Sequence, residues 1–204
     1  KAARGAGFAW GLAEEAGYAL GWLAGQGIDA SQDLLALLQA RQGTASPQVT
    51  PGHWRAGGAG VLCPITLGAA LCDHARLPDG PLARETALDP VGWPRLLLPF
   101  LHRAGQMAGQ GAEILVQGTW YGLTGQGLPA ALLSALSGDT GAGLVLRRGA
   151  GTQPNAPHDA PVGARLAIPA AQAVAGLQAL AMRTTVPASD RSRRGAGSLR
   201  DDND

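Results

Sequence analysis

The chain has 204 residues, 46% of them hydrophobic and 15% charged, with 16 lysines and arginines against 15 acidic residues and a formal charge of +1. This composition excludes global disorder, and the charge balance excludes a general electrostatic pull toward nucleic acid or an anionic membrane. The 31 glycines follow no every-third-residue repeat, which excludes a collagen-like helix. Arginine supplies 15 of the 16 basic residues, a bias that codon usage alone can produce.

In chain order, FAWGLAEEAGYALGWLAGQG reads as a helix. Leu12, Ala16, Ala19, Leu20 and Leu23 fall along one side at spacings of three and four. Gly17, Gly21 and Gly25 line another edge, each costing about 1 kcal/mol against alanine in a helix interior. Such an edge predicts close packing of another element, with Gly27 ending the helix. DASQDLLALLQARQG predicts a second, short helix capped by Asp29 or Ser31 and stopped at Gly43. Residues 44–60 read as a loop, and GVLCPITLGAALCDHA as a strand or a buried short helix, with Pro64 against a central strand. Four prolines in residues 78–95 argue against regular structure there. RLLLPFLHRAG is a short apolar segment. AEILVQGTWYG and GAGLVLRRG are strand candidates, LPAALLSALSG gives a helical turn or two, and ARLAIP a further strand. AAQAVAGLQALAMR predicts a helix with Val174, Leu177 and Ala181 on one side. The order predicts an α+β fold, one domain over 1–204 with a mixed or largely antiparallel sheet packed by helices.

Several groups can carry chemistry, each beside a plainer reading. Glu14 and Glu15 are adjacent on a helix, about 100° apart, so at most one faces a pocket beside Tyr18 or Trp22. The alternative is that an apolar helix needs charges on its solvent side. Cys72, Asp73 and His74 are contiguous and His53 sits in PGHW. A Cys–His pair or a zinc site is chemically open to them, but no spacing matches a metal loop, and no metal is assigned. The glycine-rich stretches GGAG, GQGAE and SGDTGAG lack the spacing of a phosphate-binding loop. Trp120 and Tyr121 either pack a core face or line a cleft. The C-terminal run TTVPASDRSRRGAGSLRDDND is densest in polar groups. Its hydroxyls include Ser189 and Ser192, its arginines Arg193 and Arg194, and its carboxylates Asp202 and Asp204. Arginine pairs bidentately with carboxylate or phosphate, and aspartates orient it or move protons. A mobile, self-neutralising terminus is the other reading.

The two ends together resemble the DUF3726 family of uncharacterised bacterial proteins. The likeness rests on AARGAGFAWGLAEEAG, with Trp10, Gly11, Glu14, Glu15, Ala16 and Gly17, and on VPASDRSRRGAG with the closing DND. Members often carry a tyrosine where this chain has Thr185. The resemblance implies no reaction. It implies that residues 183–204 fold onto the domain.

The expected site joins the first long helix to the C-terminal run. Glu14, Glu15, Ser189 and Asp202 are the candidate catalytic groups, and Trp10, Ser192, Arg193, Arg194 and Asp204 the candidate ligand-binding ones. That set suits an enzyme or binder acting on a small anionic metabolite, a carboxylate or phosphate. The rival expectation is a non-catalytic accessory protein whose glycine-edged helix packs on a second copy, as a homo-oligomer, or on a partner enzyme. Partly accessible carboxylate and arginine in a concave site favour the first, and fully satisfied pairs favour the second. Two cysteines without a disulfide framework, no signal-peptide pattern and no apolar run of about 18 residues predict a cytoplasmic protein with no nucleic-acid or membrane partner.

Overall fold

The computed structural model describes residues 1–40, 46–57, 60–123, 127–138, 143–149 and 166–185. The chain opens with a single helical turn, α1 (Ala2–Gly5), followed by α2 (Trp10–Gly25). Ala16, Ala19 and Leu23 are its buried residues, the three- and four-residue spacing expected of a core-facing stripe. The helix stops by geometry rather than by a breaker. Gly27 takes φ 77°, its N–H bonds Ala24 O at 3.0 Å, and the Ile28 N–H bonds Leu23 O at 2.9 Å. This pair of bonds is the Schellman cap, open to glycine because it has no Cβ. Next comes α3 (Ser31–Ala40), burying Leu34, Leu35, Leu37 and Leu38. Gly43 lies outside the described residues.

The glycine- and proline-rich middle is more ordered than its composition suggests. Within the expected loop, β1 (Gln48–Thr50) and β2 (His53–Arg55) pair antiparallel, with Thr50 opposite His53. Pro51 fixes its own φ and Gly52 takes φ 79°, the requirements of the two central positions of a type II turn. Pro64 occupies the first turn of α4 (Pro64–His74), where its missing N–H costs nothing, so CPITLGAALCDH is a buried helix. The proline-rich stretch holds β3 (Thr86–Leu88) and a 3₁₀ turn over Pro94–Leu97 that runs into α5 (Leu98–Met107). AEILVQGTWYGL is two strands, β4 (Ala112–Val116) and β5 (Thr119–Leu123). Gln117 and Gly118 both take positive φ, 48° and 80°, making the two-residue turn whose twist suits a hairpin. After α6 (Ala130–Ala135), β6 (Leu144–Arg148) inserts between β3 and β4, and α7 (Ala171–Met182) completes the described elements. Residues 166–170 are neither helix nor strand, where ARLAIP was expected to form a strand; Ala164 and Arg165 lie outside the described residues.

The sheet order is β1-β2-β3-β6-β4-β5, antiparallel at every neighbour except β2 and β3, and α4 lies in that parallel crossover. The architecture is therefore α+β, a largely antiparallel sheet packed by helices. One sheet face is buried through Ile114, Val116, Leu144 and Leu146, together with Leu67 and Leu71 of α4 and Leu98 and Leu101 of α5. The opposite sides of α4 and α5, through Ile65, Cys72, Phe100 and Ala104, share a second core with α1, α2, α3 and α7. Those two helices thus form a middle layer, apolar on both sides. Their close crossing depends on Gly68, where an added Cβ would overlap the Phe100 ring. No described helix is long and apolar enough to cross a membrane.

Candidate functional site

Glu14 and Glu15 diverge, as adjacent helical positions must. Glu14 is exposed and accepts a hydrogen bond from Trp10 Nε1 at 3.0 Å, while Trp10 is itself 67% exposed. Glu15 turns inward to Arg103 of α5, whose Nη2 donates at 2.5 Å. The same guanidinium lies over the Tyr18 ring, 4.3 Å from its centroid, and donates from Nε to Cys72 Sγ at 3.3 Å. Burial pushes the Tyr18 hydroxyl above its ordinary pKa, against the opposing pull of Arg103. Burial likewise pushes the Cys72 thiol up, against its hydrogen bond and charge contact with Arg103. A thiol shifted in that direction is a poor nucleophile at neutral pH. The cluster reads as a knot between α2, α4 and α5 with its groups directed at one another.

Of the expected site residues, Trp10, Glu14 and Glu15 fall on α2, where Trp10 and Glu14 meet and Glu15 does not join them. Ser189, Ser192, Arg193, Arg194, Asp202 and Asp204 lie outside the described residues. The histidine and cysteine candidates separate. His74 stacks edge-on to Trp54 at 5.4 Å, and His53 pairs through Nε2 with Asp89 Oδ1 at 2.8 Å. Among the described residues no three His, Cys, Asp or Glu side chains gather where they would hold a metal ion. Trp120 lies beneath the Arg147 guanidinium, 3.8 Å from the ring centroid, and Arg147 also pairs with Glu113.

A groove opens on the other side of α2. From α2 it is lined by Gly17, Leu20, Gly21 and Ala24, positions along one helical edge, and its volume is about 340 Å³. Among the described residues, an added Cβ at Gly17 or Gly21 would meet no atom within 4 Å, so no described neighbour packs on these glycines. That differs from the close packing their spacing predicts, and the reason is the groove itself. Ala167 and Pro169 of the 166–170 segment also line it, and the Ala167 N–H bonds Ala24 O at 3.1 Å. Beside it, Leu166 and Ile168 point outward with 70% and 88% of their surface exposed.

One end of the groove is formed by Ile28, Asp29 and Ala30. Asp29 joins two helix starts. Its Oδ1 accepts the Ser31 N–H at 2.9 Å and its Oδ2 the Ala170 N–H at 3.0 Å, just ahead of α7. Partial burial pushes its carboxyl pKa up, but hydrogen bonding to Ser31 and Ala170, with Arg95 at longer range, outweighs that and holds it below the ordinary value. Deeper in, Arg95 Nη2 donates to Asp33 Oδ1 at 2.8 Å. Among the described residues, Asp33 Oδ2 and Arg95 Nε are buried without a hydrogen-bond partner. Trp93, two residues before Arg95, is held at φ 44°, a left-handed conformation costly for a bulky side chain. Buried unpaired polar atoms, a strained aromatic and a shifted carboxylate beside a groove concentrate functional signals here. Sequence reasoning reached Asp29 and Ser31 only as caps. It missed Asp33, Arg95 and Trp93, for which the one available signal was charge placed within otherwise apolar runs.

Fold and groove together define an α+β protein with a sheet backed by two helical layers and an apolar groove on the outer one. A family model described as "Protein of unknown function (DUF3726)" matches residues 1–60. That stretch runs from α1 to β2 and includes Trp10, Glu14 and Glu15; the C-terminal run that resembles the same family lies beyond it. No curated protein and no solved structure matches the chain.

Proposed function

We propose that the protein is a non-catalytic binding protein that receives a small, largely apolar ligand along the glycine edge of α2. The observation that carries this reading is the groove over Gly17 and Gly21, where two unfavourable helix residues keep a concave surface free of side chains. The charged groups nearest to chemistry support it too. Glu15 with Arg103, Asp33 with Arg95 and Glu113 with Arg147 point at each other and not into the groove. Turnover of a small anion, the enzymatic alternative, would draw on Arg193 and Arg194. The free thiols of Cys63 and Cys72 support a cytoplasmic setting for the binding role.

The test is a thermal-shift screen of small apolar amines, alcohols, carboxylates and phosphates on the intact chain and on Gly21→Leu, which fills the groove. Compounds that raise Tm in the intact protein and not in the variant support the reading. Compounds that stabilise both equally, or phosphates and carboxylates as the only hits, overturn it in favour of an anion site elsewhere. A second reading, packing against another copy, is favoured by the exposed Leu166 and Ile168 beside the groove. Sedimentation velocity over a concentration series decides it: a dimer lost in Ile168→Asp would replace the small ligand with a second copy.

A further inference from the structure

We infer that two copies of the chain pair through α2, Trp10 of each entering the groove of the other at Gly21. This rests on the groove being a binding surface and deepens its second reading, another copy, by giving that copy a register. The exposed residues of α2 are Trp10, Gly11, Glu14, Gly17 and Gly21. A helix face turned to solvent ordinarily carries polar and charged groups. This one carries a single charge, Glu14, and α7, in the same outer layer, has no charged residue at all. Trp10 is 67% exposed yet held in place. Its Nε1 donates to Glu14 Oε1 at 3.0 Å, and the Arg4 guanidinium lies 5.8 Å from its ring centroid. An indole ordered before contact loses little freedom on binding.

The stripe is complementary to itself. Trp10, Glu14, Gly17 and Gly21 recur at spacings of four, three and four residues, so they lie along one line of the helix. With the two helices antiparallel about a two-fold axis, Trp10 comes opposite Gly21 of the second copy and Glu14 opposite its Gly17. Each contact then occurs twice, as a two-fold interface requires. The largest side chain meets a glycine, and the Glu14 carboxylate keeps its water beside the other. Charge favours the same orientation. It brings Arg4 beside the last turn of the second α2, whose carbonyl end is electronegative and has no basic residue of its own. Two indoles bury about 300–500 Å², well short of the roughly 1,200 Å² of a stable complex. The exposed Leu166 and Ile168 beside the groove therefore belong to the contact, and the dimer is a weak, micromolar one. A small apolar ligand and Trp10 of the second copy would compete for one place.

The experiment is sedimentation velocity over a concentration series on the intact chain, Trp10→Ala, Gly21→Leu and an equimolar mixture of the two variants. Both positions are exposed, so neither change touches the core. The intact chain is expected to pass from monomer to dimer with rising concentration. Each variant alone should dimerise at least about tenfold more weakly. The mixture should recover the dimer. Each mixed pair keeps one Trp10–Gly21 contact and, at the other, sets the shortened side chain opposite the enlarged one. A monomer at every concentration would overturn the inference and leave the small-ligand reading of the groove standing. A dimer unchanged in Trp10→Ala but lost in Ile168→Asp would overturn it too, with the second-copy reading kept in another register. Two weakened variants with no recovery in the mixture would exclude this register, and the inference with it.

Discussion

The two edges of α2 behave in opposite ways. On the inner edge Ala16, Ala19 and Leu23 are 1%, 0% and 0% exposed, closed against the middle layer. On the outer edge a Cβ at Gly17 or Gly21 would meet nothing within 4 Å among the described residues. Small residues inside a core are explained by what presses on them, as Gly68 is by Phe100. Small residues on an open helix edge have no such cause and lower the stability of the helix that carries them. That asymmetry separates a residue kept for folding from one kept for a surface.

The largest test of the contrast is on the inner edge. Leu23→Ala removes a fully buried side chain where α2 meets α3 and should cost about 2–5 kcal/mol in urea unfolding. A cost under about 1 kcal/mol would mean that the inner edge is no tighter than the outer one. Gly17→Ala should act with the opposite sign, raising stability by about 1 kcal/mol, because a Cβ there meets no described neighbour within 4 Å. Destabilisation by Gly17→Ala would show that something does press on this edge, and the groove reading would fail with it.

The smallest expected effect is a pH dependence at the groove's end. The folded pKa of Asp29 lies below its unfolded value, so its carboxylate adds stability above the unfolded pKa of about 3.9. That contribution fades as pH falls through the folded pKa. The stability difference between the native chain and Asp29→Asn should therefore be largest near neutrality and shrink with acidification. A difference that grows toward low pH would reverse the sign and remove the carboxylate from its role between the two helix starts.

The inner edge of α2 was legible in the sequence because apolar residues recur at three- and four-residue spacing over about three turns, although Leu20, expected there, lines the groove, and Gly27 marked its end. The three-residue strands β1, β2 and β3 were not, since so short a segment shows no alternation and their flanks are rich in proline and glycine. The β4–β5 hairpin reads as one strand because Gln117 at φ 48° is an unusual first turn residue beside Gly118. For the site, Glu15 could be placed on a helix, but not its partner Arg103, 88 positions away and on a different helix. Arg95 and Asp33 are 62 positions apart, and neither spacing nor composition couples them. Asp29 was visible as a cap. Its second bond, to Ala170, arises only when α7 has docked.

That bond spans 141 positions, and it is matched at the other end of α7 by α1, where a Cβ on Gly5 would run into the Leu180 carbonyl. The outer helical layer is thus assembled from the first forty residues and a helix near the opposite end of the described chain, with the sheet encoded between them. Residues 1–60, the stretch shared with the matched family, hold one part of that layer and the two strands at one edge of the sheet. Excised, they would carry Leu34, Leu37 and Leu38 without the apolar surfaces that cover them. The shared stretch is therefore not a module that can be moved by cutting and pasting. It is one side of a clasp, and the other side has to be inherited with it.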